Sequence, residues 1–203
     1  MKENNHHYFL PSKHDKSEYF TFDYEFKNKK YIFNSCPDVF SKDEVDYGSQ
    51  VLIQSILAHQ SLFGGDIIDM CCGYGTIAII LSSFIGARYY LSDINSTATD
   101  LAKDNVRLNN IQIEEIFTTD MFDGIDKKFN HIVSNPPIKV GKQVLLKFID
   151  ESYTHLLDGG TITLVIKKNL GAPSLKEYME KIFGNCEIWK RDKGYYILHS
   201  VLR

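Results

Sequence analysis

From Gly64-Gly65 to its end the chain alternates short apolar runs with segments whose apolar residues recur at helical spacing. That alternation leaves few folds open. Ile67–Met70, Arg88–Ser92, Ile113–Thr118, Phe129–Val133 and Thr161–Ile166 read as strands, since they are short, rich in β-branched and aromatic residues and bounded by turn formers. Between them Thr76–Ile85, Asn95–Leu108, Gln143–His155 and Ser174–Phe183 read as helices. A final pair of strands, Cys186–Lys190 and Tyr195–Val201, flanks the turn signal Asp192-Lys193-Gly194. Strands alternating with helices build a mostly parallel sheet covered on both faces. The expected fold class is α/β: a Rossmann-like, doubly wound, mostly parallel seven-stranded sheet with an antiparallel C-terminal hairpin.

Upstream, residues 1–18 are polar and are expected to form a flexible N-terminus. Residues 19–203 are expected to form one domain, with a β extension over 19–48 and the core over 49–203. Within the extension, Tyr19 to Phe26 and Tyr31 to Phe33 alternate aromatic and polar residues around Lys27-Asn28-Lys29-Lys30, which predicts a small β-hairpin whose aromatics face a core. Leu52, Ile53, Ile56 and Leu57 predict a helix over Gln50–Gln60, with Ser49 as its N-cap.

Composition narrows the class of function. A net charge of −3 argues against a protein that coats nucleic acid without selectivity, yet the charge is unevenly placed. Residues 1–126 carry 10 Lys and Arg against 19 Asp and Glu, whereas residues 127–203 carry 13 against 7. The basic half is able to meet a polyanion locally. Cys36, Cys71, Cys72 and Cys186 show neither C-x-x-C spacing nor a zinc-like pairing with histidine, so reduced thiols and no metal are expected. No signal peptide is read at Met1 to His7, and the apolar run Ile77 to Ile85 is far short of a membrane span. A cytoplasmic protein with no membrane partner is expected.

In sheets of this kind ligands bind beyond the carboxyl ends of the strands. The first strand end is Asp69-Met70-Cys71-Cys72-Gly73-Tyr74-Gly75-Thr76, a Gly-x-Gly turn that opens a helix and lets a ligand approach the backbone closely. The second carries Asp93-Ile94, a carboxylate suited to a ribose diol or, equally, to capping the following helix. The third carries Asp120-Met121, an acid with apolar flanks that suits an adenine amino group. The fourth is Asn135-Pro136-Pro137-Ile138. Two prolines there force a rigid extended turn, and the amide and carbonyl oxygens of Asn135 and Pro136 line up as acceptors for a planar amino group.

This series resembles the class I S-adenosylmethionine-dependent methyltransferases, specifically the small-domain (MTS) group that includes the RsmC-type ribosomal RNA guanine-N2 methyltransferases. Lys167-Lys168, Gly171-Ala172-Pro173-Ser174 and Gly194-Tyr195-Tyr196-Ile197-Leu198 look like its short single-domain Gram-positive branch. The resemblance implies S-adenosyl-L-methionine as cofactor, bound by Phe40, Asp69, Cys71, Gly73, Gly75, Asp93, Ile94, Asp120, Met121 and Asn135. It implies methylation of an exocyclic amine, most of all guanine N2 of small-subunit ribosomal RNA, on Asn135, Pro136 and Pro137. Ile138, Lys139, Lys142, Lys167 and Lys168 are then expected to meet the RNA or the small ribosomal subunit. The chain departs from the family in having Cys at 71 and 72, where glycine is usual, and Ile138 where an aromatic is common.

Two rival readings share part of this pattern. A nicotinamide-dependent oxidoreductase would use the turn and the acid. It needs a third glycine, for which Ala78 is wrongly spaced, and gives Asn135 to Pro137 no role. An inactive RNA-binding scaffold on the same fold would have no need of Asp69, Gly73, Asp93, Asp120 and Asn135 together.

Overall fold

The computed structural model describes residues 19–39, 44–137 and 141–203. Phe40, Ile138 and Lys139 lie outside the described residues. Nine strands and five α-helices follow one another as β1 (Phe20–Phe26), β2 (Lys29–Ser35), α1 (Tyr47–Ala58), β3 (Asp66–Met70), α2 (Thr76–Ser82), β4 (Arg88–Asp93), α3 (Ser96–Leu108), β5 (Glu115–Thr118), β6 (Phe129–Ser134), α4 (Lys142–Thr154), β7 (Leu156–Lys167), α5 (Ala172–Phe183), β8 (Glu187–Asp192) and β9 (Tyr195–Val201) among these residues.

The large sheet has the order β5-β4-β3-β6-β7-β9-β8, parallel from β5 through β7 and antiparallel at β9 and β8. Apolar side chains alternate between its faces, as the pleat requires. Ile67, Leu91, Val133, Val165 and Ile197 point into one core with α1, α2 and α3, while Ile68, Ile132, Leu164 and Leu198 point into another with α4 and α5. The doubly wound class is therefore confirmed. From β3 the chain steps outward through β4 to β5, then returns to place β6 on the other side of β3. Strand order reverses there, and the crevice between the ends of β3 and β6 is where a ligand is expected.

The N-terminal hairpin turns at Lys27-Asn28, both left-handed at φ 48° and 62°, so Lys29 and Lys30 belong to β2 rather than to the turn. Its outer edge is not left bare. Asn105 on α3 and Asn109, its C-cap one helical turn on, each bond both the N–H and the C=O of a β2 residue: Asn34 by Asn105 at 2.7 and 3.0 Å, and Ile32 by Asn109 at 3.0 and 2.7 Å. Two side-chain amides thus stand in for a neighbouring strand. Phe26, Tyr31 and Phe33 enter the α1–α3 core, the packing expected of these aromatics.

Two boundaries differ from expectation for local reasons. Helix α1 begins at Tyr47 with Asp46 as N-cap, because the Asp46 carboxylate accepts the Ser49 N–H at 3.0 Å. Ser49 is inside the first turn and its hydroxyl is free for another use. Strand β7 begins at Leu156, five residues before Thr161, running through Gly159-Gly160. Those glycines continue the strand because Gly159 N–H donates to the Leu202 carbonyl and Leu202 N–H to the Gly160 carbonyl.

Candidate functional site

The turn after β3 is held by backbone bonds. Cys72 N–H donates to the Ser92 carbonyl at 3.0 Å, and Gly75 N–H donates to the Cys72 carbonyl at 2.9 Å. Gly75, at φ 93°, caps α2; a Cβ there would lie 3.2 to 3.4 Å from Ile79, Leu91 and Ala102, so glycine sets how closely helix and sheet approach. Gly73, at φ 54°, faces open space. Cys71 occupies the left-handed region at φ 59°, which explains why glycine is usual at this point and costs a non-glycine residue on the order of 1 kcal/mol. Met121, three residues beyond β5, is left-handed too, at φ 50°. The other non-glycine residues of this kind lie in hairpin turns or just beyond α3. Backbone strain thus reaches the turns after two strands that face the crevice.

Two acids support the turn. Asp93 Oδ2 accepts the Gly73 N–H and Oδ1 the Asn95 N–H, both at 2.9 Å. Burial raises the Asp93 pKa, and the amides of Asn95, Gly73 and Ile94 oppose that rise. The cap of α3 is Asn95, so Asp93 is free of that duty and keeps acceptor capacity, a carboxylate having about four lone-pair directions. Asp69 is wholly buried. Its Oδ2 accepts the Ala78 N–H at 3.2 Å and its Oδ1 has no partner. Burial pushes its pKa up to about 8; the Ala78 amide works against this and the Asp93 charge adds to it. Burial thus favours the protonated form of Asp69 over its carboxylate.

Beside this turn, β6 pairs with β3 so that Ser134 lies opposite Met70, and Ser134 Oγ donates to the Met70 carbonyl at 2.7 Å. Asn135 follows directly. Its Nδ2 donates to Asp46 Oδ2 and to Ser49 Oγ, both at 2.9 Å. Because an ionised carboxylate only accepts, the nitrogen side of the carboxamide must face Asp46, and the orientation of Asn135 is fixed by chemistry. Both N–H bonds are used and Oδ1 is left as an acceptor. Asp46 and Ser49 lie 89 and 86 residues from Asn135, and neither was legible as a site residue in the sequence. The only signal was a polar pair at the head of a helix, which reads as a cap.

The remaining residues are distributed unevenly. Ile94, 38% exposed, and exposed Asp120 flank the crevice on the β4 and β5 side with Met121. Lys167 ends β7 and Lys168 begins a short 3-10 helix after it. Lys142 opens α4 and borders a small groove of about 90 Å³ with Leu170 and Leu175, away from Asn135's partners. A larger recess of about 350 Å³, lined by Lys29, Ser83, Leu108 and Asn109 among others, sits where α2 and α3 end, opposite the strand ends, and gathers none of these groups. Among the described residues no cluster of three or more metal-ligating side chains occurs, and no helix is long and apolar enough to cross a membrane.

Residues 30–199 match the methyltransferase small domain family. The uncharacterized protein YbxB of Bacillus subtilis is 36% identical over 197 residues, covering 96% of this chain and 97% of that protein. Ribosomal RNA small subunit methyltransferase C of Sodalis glossinidius is 30% identical over 180 residues, covering 85% of this chain. The chain spans 49% of the length of that relative. Among solved structures, the Thermus thermophilus 16S rRNA N2 G1207 methyltransferase, determined with AdoMet and guanosine, superposes with a TM-score of 0.82 at 23% identity, covering 91% of this chain and 51% of that one.

Proposed function

The chain belongs to the methyltransferase small domain family, and on that premise we propose that it transfers a methyl group from S-adenosyl-L-methionine to an exocyclic amine of RNA, the N2 of a guanine in small-subunit ribosomal RNA. The observation that carries this reading is the fixed carboxamide of Asn135. With both its N–H bonds taken by Asp46 and Ser49, it offers an oxygen that accepts no hydrogen bond among the described residues, the group an amine donor needs. A nicotinamide enzyme would have no use for this arrangement.

When bound, the cofactor supplies a methyl group on a sulfonium, an electrophile needing no metal. Asp93 holds the ribose through acceptor directions left open by Gly73 and Asn95, Ile94 covers the adenosine, and Asp120 and Met121 meet the adenine edge. Cys71 and Gly75 complete that wall, Asp69 braces it, and Phe40 is assigned to the cofactor on the family resemblance alone. Asn135 Oδ1 and the Pro136 carbonyl accept the two amine hydrogens, which turns the nitrogen lone pair away from the ring and toward the methyl. Pro137 keeps the turn rigid. Holding reactants in such near-attack geometry is worth on the order of 7–11 kcal/mol. Asn135 is neutral and takes no proton, so the proton leaves to water after transfer. Ile138 offers the base an apolar face, and Lys139, Lys142, Lys167 and Lys168 meet phosphates. Residues 19–203 act as one unit.

Guanine N2 is supported by the relatives named for small-subunit ribosomal RNA and by the neighbour determined with guanosine. Incubating the protein with labelled S-adenosylmethionine and small-subunit RNA from a strain lacking the gene, then digesting to nucleosides, should yield labelled N2-methylguanosine. Cofactor binding without label in any RNA would favour the inactive scaffold.

A further inference from the structure

Of the fourteen lysines among the described residues, Lys30, Lys103, Lys127, Lys147, Lys176 and Lys190 sit in ion pairs with a carboxylate. Lys167 and Lys193 are held differently. Lys167 Nζ lies 4.9 Å from the centroid of the Tyr195 ring, and Lys193 Nζ lies 4.7 Å from that of Tyr47. Neither has an ion-pair partner among the described residues. The negative face of a ring restrains an ammonium without cancelling its charge. Two cations are therefore held by rings instead of close ion pairs, with Asp46 and Asp192 acting on them only at longer range.

Their position is specific. The two rings are 5.8 Å apart. Tyr195 lies opposite Lys167 in the β7–β9 ladder, and Lys168 N–H donates to the Gly194 carbonyl at 2.7 Å, tying the β8–β9 turn to the end of β7. The one acid in that turn, Asp192, is occupied by the Tyr47 hydroxyl at 3.0 Å and by Lys190 at 3.3 Å. A Cβ added at Gly48 would lie 2.8 Å from both Tyr195 and Asp46 Oδ2. No side chain separates the tyrosine pair from the carboxylate that fixes Asn135.

We infer that Tyr47, Tyr195, Lys167 and Lys193 form a phosphate clamp for single-stranded RNA, gripping the backbone beside the nucleotide whose amine is presented to Asn135. This rests on the RNA-methyltransferase reading above and extends it to the β8–β9 turn. Charge complementarity selects the occupant: the proposed acceptor sits in a polyanion, and Lys167 and Lys193 are held over the tyrosine pair that adjoins Asp46, where they meet the neighbouring phosphodiester.

The test is the salt dependence of binding to a labelled single-stranded RNA of mixed sequence, titrated between about 50 and 200 mM salt. Each phosphate contact to a single strand contributes about 0.7 to the slope of log K against log salt. Lys167→Ala and Lys193→Ala together should flatten the slope by about 1.4. Lys103→Ala, on α3 beside Asp100, should leave it unchanged. S-adenosylmethionine affinity, measured by calorimetry, should be unchanged in both the double variant and Lys103→Ala. A wild-type slope in the double variant overturns the clamp. So does a parallel loss of cofactor affinity, because the effect would then run through the fold. Absence of RNA binding by the unaltered protein is a different result, which sinks the RNA reading and the clamp with it.

Discussion

The two walls of the crevice are built on different principles. On the β3–β4 side the parts are close in sequence and held by main chain: Gly73 binds Asp93 twenty residues on, and Cys72 binds the Ser92 carbonyl of the neighbouring strand. On the β6 side the catalytic candidate is aimed by side chains from a distant helix, Asp46 and Ser49, with the β8–β9 turn packed behind them. One wall is specified by a local motif. The other exists only when remote segments dock.

If the walls divide the work as proposed, substitutions should separate transfer from cofactor binding. The largest effect is expected at Asn135. Asn135→Ala should lower methyl transfer at least about a hundredfold, as loss of one positioned transition-state group commonly does. Cofactor affinity by calorimetry should stay within about tenfold, or 1.4 kcal/mol. The isosteric Asn135→Asp should be as poor, since it sets a second carboxylate against Asp46. Loss of cofactor binding as the main defect would merge the two walls into one.

Asp46→Ala comes next, with transfer expected to fall about ten- to a hundredfold through loss of a charge-assisted hydrogen bond of about 1.5–3 kcal/mol. Thermal unfolding should also register the missing N-cap, about 1 kcal/mol. Ser49→Ala tests the aim with the cap intact, and a severalfold loss of turnover at unchanged stability would sharpen the contrast. Asp93→Ala should show the reverse pattern on the other wall. There, about a tenfold weaker cofactor Kd is expected, with turnover at saturating cofactor much less affected; an unchanged Kd would remove Asp93 from the site.

The smallest effect is a pH profile of stability in which buried groups on the two sides pull in opposite directions. Burial lowers His131 and His199 to about 4, with the charges of His131 and His59 adding to the effect on His199. Unfolded histidines near 6.5 bind protons that the folded ones refuse, so stability is lost as pH falls from about 6.5 to 4. Asp69, raised to about 8, acts the other way: it keeps a proton in the folded state that the unfolded chain releases near 3.9, so stability declines as pH rises toward 8. Urea denaturation across pH should find a maximum near 6.5 from these groups. Asp69→Asn should remove the decline between about 6.5 and 8, and its persistence would show that Asp69 is ionised when folded.

How far each wall could be read from the sequence follows the same division. Strand ends announce themselves through apolar runs that stop at Gly, Asp or Pro, so Gly73, Asp93, Asp120 and Asn135 could be found and the sheet class inferred. Which end of the Asn135 carboxamide is offered depends on Asp46, whose local signature is that of a helix cap, and Ser49 was expected to cap instead. Tyr47 and Lys193 meet across 146 positions, a separation no periodicity encodes. The early start of β7 was hidden by Gly159-Gly160, which break a strand by propensity and continue it only because Leu202 supplies both bonding partners. Cys71 stands out as a departure from glycine, but its left-handed φ is imposed by the turn's tertiary bonds, which no residue pattern encodes.

The position of β9 has a consequence for how the molecule is made. Although β9 follows every other strand of its sheet in chain order, it is an interior strand, hydrogen-bonded to β7 on one side and β8 on the other. Until it emerges from the ribosome, β7 carries an open edge and β8 has no partner, an arrangement that invites association with other chains. Tyr195 and the turn that carries Lys193 arrive with that strand. A nascent chain therefore already holds the glycine turn and Asn135 before it owns a finished sheet, and completion of the barrier against aggregation coincides with completion of the surface beside Asn135.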